Sequence, residues 1–99
     1  MTYRLTPAAR ADIEAIAAYV AEHDPQAAVR LIERLMRRWR LLSTAPMAGA
    51  ARPDIAEGIR LIVTGPYLSF YRIEQTGIVI VRILHGRRDV GRQAPFDED

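Results

Sequence analysis

His85 and the arginines near it are the residues best equipped for chemistry in this chain. An imidazole has an unperturbed pKa near neutrality and can give or take a proton. Gly86, Arg87 and Arg88 follow it, with Asp89 behind them. Guanidinium groups present forked N–H donors that match phosphates and carboxylates. Arg60 and Arg82 sit on or near neighbouring strand candidates, so Arg60, Arg82, His85, Arg87 and Arg88 could meet at one end of a sheet. Such a cluster would bind phosphates or an acidic peptide. The plainer alternative is a strand-end histidine bonded to backbone and arginines facing solvent.

Other chemistries find little support. His23 sits in a helix-terminating turn, and two distant histidines without cysteine or a helical ligand pair give no metal signature. Ser43 and Ser69 are the only serines, neither in a nucleophile elbow, and there is no glycine-rich phosphate loop. Tyr67, Phe70 and Tyr71 crowd one short strand and read as core before they read as a base-stacking platform. No cofactor is implied.

The element that must position His85 is the run Ile78-Val79-Ile80-Val81-Arg82-Ile83-Leu84. β-Branched residues dominate it and proline is absent, which predicts a strand. Strict alternation puts residues 79, 81 and 83 on one face and 78, 80 and 84 with Arg82 on the other. Two apolar faces suit a central strand. Upstream, Tyr67-Leu68-Ser69-Phe70-Tyr71-Arg72-Ile73 and Ile59-Arg60-Leu61-Ile62-Val63 read as strands, separated by Gly65-Pro66, and Glu74 to Gly77 reads as a hairpin turn. Residues 43–58 read as a loop.

Ahead of these lie a short strand at Tyr3 to Thr6 and two helices. Thr6-Pro7 and Asp24-Pro25 each join an N-cap to proline at the first helical position. Ala9, Ile13, Ile16 and Val20 form one apolar stripe; Ala28, Ile32, Leu35, Trp39 and Leu42 form another. Asp12 and Glu14 are placed to complement the first helix dipole. The second helix carries Arg30, Arg34, Arg37 and Arg38 on its other side, while Leu31 and Met36 lie off its stripe. A partner segment with acidic residues would suit Arg30, Leu31, Arg34, Met36 and Arg37. The fold class is α+β: an N-terminal strand, an antiparallel helical hairpin on one sheet face, and a sheet ending in a three-stranded antiparallel meander.

Ninety-nine residues, 49% of them hydrophobic, form one domain over residues 1–95, with an acidic, frayed tail at 96–99. All 14 basic residues are arginine. Without Asp97, Glu98 and Asp99 the body carries +5, concentrated in the carboxyl-terminal half. Absence of cysteine excludes disulfides and thiolate sites. No membrane-length apolar run or signal peptide is present, so a cytoplasmic location is expected.

The order of elements, the strand Tyr67 to Arg72 and the closing run Arg82 to Asp89 resemble the ParE branch of the RelE/ParE toxins. The resemblance implies a toxin of a type II toxin–antitoxin system that binds DNA gyrase and blocks replication without a chemical step. It implies neutralisation by a ParD-like antitoxin, no membrane partner, and no sequence-specific DNA binding by the toxin alone. The target-binding residues would be Arg60, Arg82, His85, Arg87 and Arg88, and the antitoxin-binding residues Arg30, Leu31, Arg34, Met36 and Arg37. The sister RelE branch cuts messenger RNA on the ribosome by metal-independent acid–base chemistry. That activity would fall to His85, Arg60 and Arg87. The chain departs from RelE nucleases at Leu68, where they carry arginine, and at Gln93, near where they often place an aromatic acid or base. A non-toxic interaction module of the same fold is the third reading.

Overall fold

Both predicted caps form. In the computed structural model, which describes residues 2–87, Thr6 Oγ1 accepts from the Ala9 amide at 3.0 Å and Asp24 Oδ1 from the Ala27 amide at 3.1 Å. These caps, each worth about 1 kcal/mol, open α1 (Pro7–Ala21) and α2 (Pro25–Thr44). The strands are β1 (Thr2–Leu5), β2 (Ala50–Ala51), β3 (Arg60–Thr64), β4 (Tyr67–Glu74) and β5 (Gly77–His85), with a 3₁₀ turn at Pro46–Ala48. They make one sheet in the order β1-β5-β4-β3-β2.

The meander β3-β4-β5 is antiparallel, and β5 lies inside the sheet as its two apolar faces require. β1 joins in parallel along its other side, from Thr2 opposite Gly77 to Leu5 opposite Ile80. Gly77 is needed for that approach: a Cβ there would collide with the Thr2 carbonyl. Where β1 ends, α1 takes over the edge of β5. Thr6 donates its amide to Ile80 O and its hydroxyl to Val81 O, at 3.0 and 2.8 Å.

A bulge corrects the predicted faces of β5. Tyr71 pairs with Ile80 while Phe70 pairs with Arg82, leaving Val81 as the extra residue. The alternation slips by one, so Ile83 joins Ile78 and Ile80 under the helices, and Leu84 joins Val79 and Val81 on the far face.

The helix-side core holds Leu35, Trp39, Leu42, Tyr67 and Tyr71 with those isoleucines. Trp39 donates its indole N–H to Ser69 Oγ at 3.0 Å, both groups being buried, and meets Tyr3 edge-on at 5.7 Å. The far face gathers Ile59, Phe70, Val79, Val81 and Leu84, with Ile55, Ala56, Leu61 and Leu68 against them. The helical hairpin is therefore not the sole cover, because the segment between β2 and β3 shields part of the other side. Residues 43–58, expected as plain loop, also hold the end of α2, the 3₁₀ turn and β2.

Candidate functional site

Of the four predicted target-binding residues that are described, Arg60 and Arg82 are held in different parts of the fold, and only His85 and Arg87 lie together. Arg82 is tied to α1: its Nε donates to Asp12 Oδ2 at 2.7 Å and its Nη2 to Asp12 Oδ1 at 3.0 Å. The same carboxylate accepts the Ile83 amide at 2.9 Å, at an edge position β1 is too short to reach. Both side chains are less than a fifth exposed. Asp12 therefore fastens α1 to the bulge of β5 instead of serving the helix dipole; it lies beyond the first turn, which holds no acidic residue.

Arg60 is tied elsewhere. Its Nε and Nη2 donate to the Gly49 carbonyl at 3.1 and 2.7 Å, and Nη2 also donates to Met47 O at 3.1 Å. Tyr71 completes this clamp by donating to Pro46 O at 2.6 Å and accepting the Gly49 amide at 2.9 Å. A Cβ at Gly49 would strike the Tyr71 ring, so the turn needs glycine there. Arg60 pairs with Tyr71, whereas His85 pairs with Tyr67 two strands across. Strand rise and spacing separate Arg60 from His85 by on the order of 15 Å.

His85 and Arg87 do stay together. The imidazole stands edge-on to the Tyr67 ring, centroids 5.3 Å apart. Its Nδ1 accepts the Arg87 amide at 3.1 Å. That bond assigns the neutral-state proton to Nε2. Gly86 donates its amide to Pro66 O at 2.8 Å, so this end of β5 is pinned to the β3–β4 turn. Arg87 is exposed. Arg88 lies outside the described residues, as do Asp89 and Gln93.

On the second predicted surface the structure divides the residues. Leu31 and Met36 are half-buried and pack against the helix-side core, so their off-stripe positions serve the fold and do not mark a bare apolar face. Arg30, Arg34 and Arg37 are exposed. Arg30 lies 3.9 Å from Asp24, a loose surface pair. Arg34 and Arg37 face a cleft of about 380 Å³ also lined by Arg38, Leu41, Val63, Thr64 and Gly65. Arg38 donates to the Val63 carbonyl at 3.0 Å.

Leu41, Val63 and Thr64 were not singled out by sequence, where each reads as an ordinary position at a helix end or strand end. Only the fold shows that α2 and the outer edge of β3 leave a gap there. Among the described residues no group of three or more metal-ligating side chains occurs, and no helix is long and apolar enough to cross a membrane.

Comparisons with known proteins agree with this architecture. Residues 3–90 match the family model described as the ParE toxin of type II toxin-antitoxin system, parDE. The chain is 32% identical over 62 residues to Toxin ParE3 of Caulobacter vibrioides, a match covering 63% of this chain and 62% of that protein. The matched part thus spans under two thirds of that curated relative. Among solved structures, the chromosomal ParDE system from P. aeruginosa superposes with TM-score 0.72 at 27% identity, over 86% of this chain and 95% of that one. The toxin–antitoxin complex RelBE2 from Mycobacterium tuberculosis superposes with TM-score 0.57 at 28% identity, over 85% and 95%.

Proposed function

Because the chain belongs to the ParE toxin family of type II toxin–antitoxin systems, we propose that it arrests growth by binding DNA gyrase and is held inactive by a ParD-like antitoxin. It acts in the cytoplasm, as part of a toxin–antitoxin hetero-oligomer, without a chemical step of its own.

The observation that carries binding over cleavage is the separation of the candidate nuclease groups. Cutting RNA without metal needs an acid–base residue and cations around one phosphate. Here Arg60 is committed to the Met47 and Gly49 carbonyls, far from His85 and Arg87. His85 and Arg87 at the pinned end of the sheet are then recognition groups for the target. The arginines of α2 answer to the antitoxin.

Expression of the chain alone tests this reading. Filamentation and DNA breaks, relieved by co-expression of a ParD-like antitoxin, are the expected result. Messenger cleavage lost in His85→Ala or Arg87→Ala would replace it with the RelE-type nuclease. Unchanged growth would replace it with a non-toxic binding module.

A further inference from the structure

We infer that His85 is a proton-operated latch on Arg87: the neutral imidazole fastens the turn that follows β5, and the imidazolium lets it go. The consequence, that acidity unfastens one of the recognition groups, rests on the reading of the site given above; the latch itself does not.

The device is a single bond. The Arg87 amide donates to the imidazole Nδ1 of His85 at 3.1 Å. Asparagine and aspartate close the same kind of turn through Oδ1, which stands at the same position along the side chain as Nδ1. Those oxygens accept at any working pH. An imidazole nitrogen accepts only while it carries no hydrogen. Protonation converts Nδ1 from acceptor to donor and sets two N–H groups against each other, so the bond belongs to the neutral form alone. Histidine is also the side chain that ordinarily changes charge between about pH 5 and about pH 8.

The frame around this bond does not depend on that proton. Gly86 donates its amide to the Pro66 carbonyl at 2.8 Å, a backbone pair. Tyr67 is buried and meets the imidazole edge-on. His85 and Gly86 are half-buried and Arg87 is exposed, so release of the Arg87 amide needs no rearrangement of the core. The titratable and charged groups around the imidazole come from several elements. Tyr67 comes from β4. Asp12 of α1 lies further back along the strand edge, committed to Arg82 and the Ile83 amide. Arg34 of α2 lies over Gly65, beside the Pro66 that holds Gly86. Arg87 is in the turn itself, and Arg88 and Asp89 follow it in sequence.

His23 supplies the contrast within the chain. It is exposed at the end of α1, its ring 6.2 Å from that of Tyr19, and that ring accepts no amide among the described residues. Its charge can change with no backbone group fastened to it.

The test is amide exchange and histidine side-chain NMR on the full chain, between about pH 8 and about pH 5. At the upper end the His85 hydrogen should sit on Nε2. As the imidazole protonates, protection of the Arg87 amide should fall about 5-fold, the scale of one lost hydrogen bond, while Gly86 stays within about 2-fold. His85→Asn keeps an acceptor that does not titrate, so its Arg87 amide should stay protected throughout. His85→Ala removes the acceptor and should leave that amide unprotected at both ends of the range. The inference is overturned by a neutral imidazole carrying its hydrogen on Nδ1, by Arg87 protection that changes less than about 2-fold on protonation, or by His85→Asn falling as the parent does. An equal fall at Gly86 would also overturn it, since the whole strand end would then be opening. Gyrase and growth arrest play no part in these measurements, so failure of the latch and failure of the toxin reading are told apart.

Discussion

The bulged half of β5 and the exposed flank of α2 both carry arginine, and they use it oppositely. At the bulge, Arg82 lies against Asp12 with little solvent access, and the same carboxylate closes the open edge at Ile83. On α2, Arg34 and Arg37 reach a cleft without meeting any acceptor of the described chain. A buried guanidinium without a counter-charge is strongly disfavoured, so the first kind must be paired by the fold itself. An exposed one costs little and needs no counter-charge within the fold. Charge counts do not separate the two kinds; location relative to the sheet does.

Removing the tie at the bulge should have the largest effect. Asp12→Ala leaves Arg82 partly buried without its carboxylate and the Ile83 amide without its acceptor. A loss of about 3 kcal/mol in denaturant unfolding is expected. A loss below about 1 kcal/mol, the scale of an exposed pair, would mean that Arg82 is already held mainly by water. Arg60→Ala comes next: it deletes the bonds to Met47 and Gly49 and should cost about 1.5 kcal/mol. Growth arrest per folded molecule should stay at the parent level. Loss of arrest with unchanged stability would put Arg60 back among the recognition groups.

Arg34→Ala with Arg37→Ala should change unfolding by no more than about 0.5 kcal/mol while weakening neutralisation by the antitoxin. The reverse pattern would erase the contrast between the two regions. The smallest effect belongs to the exposed Arg52–Asp54 pair. The hydrogen bond from Arg52 holds the Asp54 carboxyl below the usual carboxylate range. A depressed carboxyl stabilises above its unfolded pKa and loses that contribution as pH falls through the folded value. Asp54→Asn should therefore lower stability slightly at neutral pH in denaturant unfolding and converge with the parent at acid pH, and do less than any change above.

Much of this arrangement is readable from local patterns. Thr6-Pro7 and Asp24-Pro25 specify both helix starts, because a cap and a fixed proline φ act within a few residues. The apolar run of β5 predicts a central strand for the same kind of reason. The bulge is not readable: Val81-Arg82 continues an alternating pattern, and the slip depends on pairing with β4 and on Asp12, 70 residues away in sequence. Leu31 and Met36 look surplus until β1 and the sheet are placed beside them. Thr64 looks like an ordinary strand end until its buried hydroxyl is seen to have no bond among the described residues.

DNA supercoiling by purified gyrase, with the purified chain added alone and with its antitoxin, tests the central claim most directly. Binding to gyrase predicts lost supercoiling and accumulating cleaved DNA, both reversed by the antitoxin. Intact supercoiling at every dose, with messenger RNA cut on added ribosomes, would contradict it.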